Sequence, residues 1–234
     1  MASGLAEAID RVNEAHFWGK KLAKTESAKL AKFIAGRQGL PGAYFGSFAL
    51  FEAEIKKGVR LFTGERAVSA SARHIMGEEG CRALRLLNVK DKAVQGALSA
   101  ATGHLLERIG PIQPAPAEWR DKWWANYMGG VFCCAPCSVG FWRHLVAGGF
   151  DHQEQRLKIG MKYLKLLRRS DGEYRAAPFW WTMSVLVELP AVVARDEIRY
   201  AANRLEKYRN RKGPPRDVYA ERRHEIARRA LEMA

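Results

Sequence analysis

Apolar residues recur at intervals of three and four along most of this chain. Leu5, Ile9 and Val12 follow this spacing in the first segment, with polar residues between them. The same spacing predicts further helices in the first half over residues 27–35, 44–62, 67–87 and 92–109. No segment of the sequence has the sustained alternation of apolar and polar residues that is typical of a half-buried strand. The pattern therefore predicts an all-α fold.

Two features interrupt the helical pattern of the first half. Gly77 and Gly80 fall inside a predicted helix, where each glycine costs about 1 kcal/mol relative to alanine, so they indicate either close packing or a break. Residues 110–117 contain three prolines and form the clearest loop. This loop is the best candidate for an internal boundary, although a chain of 234 residues favours one helical domain over residues 1–234.

The second half alternates two kinds of helix. Residues 151–169 form a predicted amphipathic helix with lysine and arginine along one face, and residues 194–210 form another amphipathic helix. Residues 179–189, between them, are apolar on all sides. A helix that is apolar all round must be buried, while a helix with one polar face lies outside it. The order therefore predicts two layers of helices, with residues 179–189 in the inner layer and residues 151–169 in the outer one.

The two halves also share a short pattern. Gly42-Ala43-Tyr44 leads into an aromatic-rich segment, as Gly172-Glu173-Tyr174 leads into the apolar helix. The two tyrosines are 174 − 44 = 130 residues apart. Internal repetition of helix pairs is typical of a toroid or a solenoid.

The segment from Leu166 to Thr182 carries a family resemblance. A helix end, an Asp-Gly-Glu-Tyr turn, a proline and the start of an apolar helix follow one another there. This order resembles the helical repeat of the prenyltransferase and squalene–terpene cyclase superfamily, over residues 151–209 and to a lesser extent over residues 27–87. The resemblance implies a two-layer, partial α/α toroid whose inner helices line a cavity for a prenyl-like ligand. The chain lacks the superfamily's Asp-x-Asp-Asp acid motif and its Asp-x-Cys zinc pair, so the resemblance extends to the fold rather than the activity.

The charge balance adds a second class of partner. The chain has 39 Lys+Arg against 25 Asp+Glu, a formal net charge of +14. Such an excess attracts nucleic acid, anionic lipid or phosphorylated ligands, although a basic surface also serves solubility alone. The densest basic cluster, residues 207–212, contains an interleaved tyrosine of the kind that accompanies single-stranded nucleic acid. The longest near-apolar run, residues 129–142, is too short to span a bilayer.

Candidate chemistry concentrates on the cysteines. We identify no secretory signal and expect a cytoplasmic protein with reduced thiols. Cys134 and Cys137 have the C-x-x-C spacing that lets two thiolates reach one metal. His74 and Cys81, seven residues apart on one helix face, would complete a Cys₃His zinc site. Cys133 is then a spare, or it replaces His74 in a four-cysteine set for an iron–sulfur cluster, which is less favoured than zinc.

Two alternatives to a metal stay open. Cysteine is among the most buried residue types, and the apolar neighbours Phe132, Val139 and Phe141 favour unliganded cysteines in the core, which is the strongest alternative. The other alternative is a redox or catalytic thiol. A thioredoxin-like protein is disfavoured because no βαβ pattern surrounds the motif.

Aromatic residues and one turn supply the other candidate sites. Aromatic walls at the rim of a toroid cavity suit an apolar ligand, and a nearby arginine or lysine suits its phosphate, although core packing also explains such residues. The candidate ligand-binding residues are Trp123, Trp124, Tyr127, Trp180 and Trp181. The candidate catalytic carboxylates are Asp171 and Glu173, which an Asp-Gly turn also explains.

The sequence thus supports two functional hypotheses. The first is a toroid-like protein that binds an apolar or phosphorylated ligand in a central cavity, with a metal on the Cys/His residues. The alternative is a HEAT-like helical-repeat protein that binds nucleic acid or acts in DNA repair through its basic surface. No reaction is predicted, because the chain has no Ser-His-Asp signature, no phosphate-binding loop of the G-x-x-x-x-G-K type and no dinucleotide-binding fingerprint.

Overall fold

Helices dominate the structure, a computed structural model that describes residues 3–112, 122–211 and 213–234. Helices make up 65% of it and strands 4%, which confirms the all-α class. The α-helices within these ranges are α1 (Leu5–Phe17), α2 (Lys24–Ala35), α3 (Glu52–Lys57), α4 (Ser69–Leu87), α5 (Lys92–Ile109), α6 (Ala135–Ala147), α7 (Gln153–Leu166), α8 (Phe179–Leu186), α9 (Ala191–Arg209) and α10 (Val218–Met233). Short 3₁₀ helices cover Tyr44–Gly46 and Trp123–Tyr127. One small hairpin pairs β1 (Val59–Arg60) with β2 (Arg66–Ala67) in antiparallel register.

Local chemistry explains why α5 matches its predicted bounds. The Asp91 carboxylate accepts hydrogen bonds from the backbone N–H groups of Ala93 and Val94, at 3.0 and 3.2 Å, and so caps the first turn. Gly110, with φ +82°, ends the helix. Residues 113–117 of the predicted boundary loop lie outside the described residues.

The predicted continuous helix over residues 44–62 is wrong. One 3₁₀ turn is followed by residues 47–50, which are non-helical and all buried, and only α3 is α-helical. Gly58, with φ +73°, ends α3. Residues 47–50 are buried at four consecutive positions, which is typical of a non-helical segment with protein packed around it. The helical spacing of the aromatic residues in this part of the sequence is therefore a coincidence.

The buried segment at residues 47–50 explains the glycines of α4. A Cβ atom at Gly77 or Gly80 would lie less than 3.0 Å from the side chain of Ser47 or Phe48, respectively. Helix α4 runs without a break through both positions. The glycines therefore mark close packing, which was one of the two sequence predictions.

Burial separates inner from outer helices. Every residue of α8 is buried except the half-buried Trp180, as predicted for an inner helix. In α6, residues 137–145 are all buried. Helix α7 keeps Lys158, Lys162 and Lys165 in solvent, as predicted for an outer helix. Observed α7 and α8 end three residues before their predicted ends, and α9 begins three residues earlier than predicted.

A buried ionic network crosses the core and joins α1, α4, α6 and the segment after α8. Arg143 pairs with Glu79 at 2.8 Å, and Arg82 pairs with Glu188 at 2.6 Å. Asn13 connects the two pairs, because its amide donates to Glu79 at 2.7 Å and its carbonyl accepts from Arg82 at 2.9 Å. Each buried charge therefore has a hydrogen-bonded partner of opposite sign, as burial requires.

No helix in the described part of the chain is both long and apolar enough to cross a bilayer.

Candidate metal centre

The three clustered cysteines lie in a tight turn at the start of α6. Cys134 is the last residue before the helix, and Pro136 occupies its first turn. The Cys134 carbonyl accepts hydrogen bonds from both the backbone N–H and the hydroxyl of Ser138, each at 2.8 Å. The Ser138 hydroxyl oxygen also accepts from the backbone N–H of Phe132 at 2.9 Å. One serine thus holds both ends of the turn.

Helix α4 brings a histidine to this turn from 59 residues away. The His74 Nδ1 atom lies 3.0 Å from Cys133 Sγ and 3.6 Å from Cys137 Sγ. The ligand atoms of these three residues all lie within 4.8 Å of one another.

The spacing of these atoms fits a tetrahedral metal. Zinc binds cysteine sulfur at about 2.3 Å and histidine nitrogen at about 2.0–2.1 Å, so sulfur and nitrogen ligands at a tetrahedral angle are about 3.5 Å apart. The two measured nitrogen–sulfur distances, 3.0 and 3.6 Å, bracket that value. The donor set, soft sulfur with imidazole nitrogen, also suits zinc.

Cys134 supplies a fourth donor beside this set. Its sulfur lies outside the group that shares the 4.8 Å limit, yet it hydrogen-bonds to the thiols of both Cys133 and Cys137. The backbone N–H of Cys137 also donates to it, because Cys134 precedes the first turn of α6. A rotation of the Cys134 side chain toward His74 would complete a Cys₃His tetrahedron.

The electrostatics of the turn favour metal binding. Hydrogen bonds from the Cys133 and Cys137 thiols hold the pKa of Cys134 far below its usual range. The hydrogen bond to Cys134 raises the pKa of Cys133 to about 11, and hydrogen bonds to Cys133 and Cys134 raise the pKa of Cys137. Burial lowers the pKa of His74 to about 4, so its imidazole is neutral near pH 7. A metal would thus meet one thiolate and a neutral imidazole, and would displace the protons of the other two thiols.

A cavity of about 420 Å³ opens beside the cysteine turn, and Cys133 forms part of its wall. Arg108 at the end of α5 lines it, together with the aromatic residues Tyr127, Phe132 and Tyr163. The exposed Arg108 side chain hydrogen-bonds to the Tyr44 hydroxyl. The cavity therefore combines an aromatic wall with one cationic group.

Two buried side chains anchor the wall of this cavity. The Trp142 indole N–H donates to the Gly130 carbonyl at 2.7 Å. The Arg156 guanidinium donates to the carbonyls of Gly129, at 2.8 Å, and Gly110, at 3.0 Å. Residues 129–130, which precede the cysteine turn, are thus fixed to α6 and α7.

Cys81, the predicted third sulfur ligand, does not lie in the group. It is buried two turns further along α4, with its sulfur 3.9 Å from the Thr102 hydroxyl. Burial raises the pKa of its thiol. His74 and Cys81 do share a helix face, but seven residues at about 1.5 Å each separate them by about 10 Å along the axis. Side chains that far apart on one helix do not meet at one metal.

The candidate carboxylates Asp171 and Glu173 lie in the turn after α7. The Asp171 carboxylate accepts from the Glu173 backbone N–H at 3.1 Å and pairs with Arg169 at 3.0 Å. Glu173 pairs with Arg204. These contacts are those of a turn fixed to α9.

The candidate aromatic residues separate into different surroundings. Tyr127 lines the cavity. Trp181 is fully buried, with the Arg143 guanidinium 4.6 Å from its ring centroid, and Trp180 packs against Tyr208 at 4.4 Å between centroids. The side chains of Trp123 and Trp124 lie outside the described residues.

The basic cluster at residues 207–212 is described except for Lys212. Its tyrosine, Tyr208, contacts Trp180 and has the Arg211 guanidinium 4.8 Å from its ring centroid. Arg209 and Arg211 are exposed. The nucleic-acid function stays a prediction.

Sequence reasoning gave too little weight to Cys133 and missed Arg108. Cys133 was a spare ligand in the prediction, whereas its sulfur is the one nearest to His74. Its position next to Cys134 was a usable signal, since adjacent residues at a helix start can both reach a neighbouring helix. Arg108 carried no signal, because only the packing of α5 brings it to the cavity.

Comparisons of the chain with protein-family models, with curated proteins and with solved structures gave no match.

Proposed function

We propose that this is a zinc-binding protein whose metal is held by His74, Cys133, Cys134 and Cys137. The observation that carries the proposal is the convergence of the His74 imidazole and the Cys133 and Cys137 thiols, whose ligand atoms lie within 4.8 Å of one another. Sulfur and imidazole donors select zinc over hard cations such as magnesium or calcium. Reduced thiols, as expected for a cytoplasmic protein, are available as ligands.

The proposed metal connects two central helices. His74 belongs to α4, and the cysteines lie at the start of α6. Four protein ligands close the coordination sphere, which is typical of structural zinc. The metal therefore stabilises the contact between α4 and α6, and with it the wall of the cavity beside Cys133.

The cavity supports a small ligand as the second part of the proposal. Its aromatic side chains suit an apolar body, and Arg108 suits an anionic group. In the finer form of this proposal the ligand is prenyl-like or phosphorylated and the helices form a partial α/α toroid. The burial of α8, between two helices that keep charged faces in solvent, supports that arrangement.

Metal analysis of the purified protein tests the zinc site. Protein prepared without chelator should contain about one zinc per chain. His74→Ala and Cys137→Ser should lose it, because each removes a ligand. Cys81→Ser is the matched control and should keep it, since Cys81 lies outside the group. Circular dichroism checks that each variant is folded.

Two outcomes would contradict the zinc site. One is a folded protein that holds no zinc after purification or after refolding with added zinc. The other is loss of metal in Cys81→Ser together with retention in Cys137→Ser. An iron–sulfur cluster would give colour and acid-labile sulfide instead.

A further inference from the structure

The proposed zinc site is unevenly exposed to solvent. Cys133 and Cys134 are exposed, whereas Cys137 is buried beneath them. The Cys134 sulfur is nonetheless in hydrogen-bond contact with the Cys137 thiol. An exposed sulfur in contact with a buried one is the arrangement that thiol–disulfide exchange requires, since one sulfur must meet the substrate and the other must displace it.

Cys137 has two candidate partners for a disulfide in this turn, because its sulfur contacts that of Cys134 and lies within 4.8 Å of that of Cys133. Bridged cysteines have Cα atoms about 4.4–6.8 Å apart. The Cα atoms of adjacent residues are only about 3.8 Å apart, which disfavours a bridge between Cys133 and Cys134. Cys134 and Cys137 flank the first turn of α6 with C-x-x-C spacing, and their sulfurs are already in contact.

The adjacent cavity indicates the class of substrate. It holds about 420 Å³, which suits a small molecule rather than a protein loop. Cys133 lines the cavity and Cys134 is the next residue of the chain, so the turn that carries the two exposed cysteines lies beside it. Arg108, near the end of α5, also lines the cavity and supplies a cation for a carboxylate or another anionic group.

We propose that Cys134 and Cys137 form a dithiol that reduces small anionic disulfides taken into this cavity, and that the reaction releases the metal. This inference rests on the zinc site proposed above, because the two sulfurs are also two of its ligands. It adds a substrate class and a mode of regulation to that site.

The exchange balances without a further reactant. The Cys134 thiolate attacks one sulfur of the substrate disulfide, a Cys134–substrate bond forms, and the other half of the substrate leaves as a thiolate. The Cys137 thiolate then attacks Cys134 Sγ, the Cys134–Cys137 bond forms, and the second half leaves as a thiolate. Two electrons pass from the protein to the substrate disulfide. His74 and Cys133 are then the remaining ligands, and two ligands do not retain zinc.

Two chromogenic disulfides test the proposal on the full-length protein, both zinc-loaded and metal-free. One is 5,5′-dithiobis(2-nitrobenzoate), which carries a carboxylate on each half, and the other is the neutral 2,2′-dithiodipyridine. Peptide mass spectrometry after reaction should find the Cys134–Cys137 disulfide, and a metal indicator should find free zinc. Cys137→Ser should stop at a mixed disulfide on Cys134. Cys81→Ser, the control, should react as the unaltered protein does.

The role of Arg108 has its own comparison. Arg108→Gln should slow the reaction with the anionic disulfide about fivefold, the effect expected of one partly exposed charge, and should leave the neutral disulfide unaffected. Lys162→Gln, an exposed cation on α7 that does not line the cavity, should change neither rate. Equal slowing of both probes in Arg108→Gln would overturn the assignment of the anionic substrate.

The zinc site and the exchange fail in different ways. If the protein binds zinc but Cys134 and Cys137 remain thiols after treatment, the exchange is overturned and the zinc site stands. If the Cys134–Cys137 disulfide forms in protein that never binds zinc, the zinc site is overturned and the exchange stands. A disulfide that includes Cys133, with either Cys134 or Cys137, overturns the assignment of the reacting pair.

Discussion

Glu78 and His144 face each other in the core with no exposed surface. Glu78 Oε2 lies 2.7 Å from His144 Nδ1, while Glu78 Oε1 and His144 Nε2 have no hydrogen-bond partner among the described residues. Burial raises the pKa of Glu78 well above its ordinary value and lowers the pKa of His144 to about 3. Both groups are therefore neutral near pH 7, and the protonated Glu78 carboxyl donates a hydrogen bond to His144 Nδ1.

This pair makes stability depend on pH in a predictable direction. The unfolded chain releases the Glu78 proton near pH 4.5, whereas the folded protein keeps it. The contribution of Glu78 to stability is therefore complete below about pH 4.5 and is lost as pH rises toward the folded pKa, by up to about 1.4 kcal/mol per pH unit. The glutamine of Glu78→Gln does not titrate, so its contribution to stability does not change with pH. The variant should gain stability relative to the unaltered protein between pH 5 and pH 8, as measured by urea unfolding at a series of pH values.

The comparison with an exposed carboxylate isolates the effect. In Glu154→Gln, on the solvent face of α7, the difference from the unaltered protein should not change with pH above about pH 5. A charged Glu78 paired with an imidazolium would give the opposite result, because Glu78→Gln would then be destabilised at neutral pH.

The cysteines show what a single residue's position reveals about a site. The C-x-x-C spacing pointed to the turn at the start of α6, where Cys137 lies in the group with His74 and Cys133 while Cys134 lies beside it. The partner from α4 depended on how α4 packs against α6. Periodicity correctly placed His74 and Cys81 on one face of α4. It does not take account of their separation along the helix axis, and that separation keeps Cys81 out of the metal-binding group.

Among the secondary-structure elements, the sequence predicted helix ends correctly where a local capping residue determines them. Asp91 and Gly110 define α5 at both ends, so its predicted bounds were confirmed. Residues 47–50 had no such signal. They are non-helical because they pack against α4, and a tertiary contact of this kind leaves no periodic trace in the sequence.

That contact makes one glycine of α4 essential to packing. In Gly80→Ala the new methyl group would collide with the ring of Phe48, so we expect a loss of about 1–3 kcal/mol in the free energy of unfolding. Gly96→Ala is the matched control, because Gly96 lies in α5 with nothing within 4 Å of the position of a Cβ. That variant should gain up to about 1 kcal/mol, since alanine is the better helix former. Urea unfolding measures both.

The two glycine variants have the same chemistry and opposite expected signs. A gain in Gly80→Ala similar to that in Gly96→Ala would mean that the segment at residues 47–50 does not press against α4.

For the whole molecule, the buried ionic network joins helices that are far apart in the chain. Arg143 donates to Glu79, Glu188 and Ser184. Burial alone would raise the pKa of Glu188, but the charges of Arg82 and Arg143 outweigh it and lower that pKa. In Arg143→Met two carboxylates lose a buried partner, so we expect a loss of about 3–5 kcal/mol in the free energy of unfolding.

Two comparisons distinguish the loss of charge from the loss of packing in Arg143→Met: a variant of a surface arginine and a measurement at lower pH. Arg228→Met removes ion pairs to Glu225 and Glu232 from a side chain that is 51% exposed, and should cost far less stability than Arg143→Met. The loss in Arg143→Met should shrink at pH 4, because the orphaned carboxylates then take up protons. A loss that is the same at pH 4 and pH 7 would attribute the effect to packing alone.

The distance between His74 and Cys133 along the chain also sets an order of events during synthesis. Ribosomes add about 5–20 residues per second, so the 59 residues between them take about 3–12 seconds to make. Throughout that interval α4 has left the ribosome's active centre while its partners at the start of α6 do not yet exist. The proposed zinc ion then enters only after α6 has been made and has docked on α4. The zinc content of newly made protein would therefore count the molecules that have completed that step.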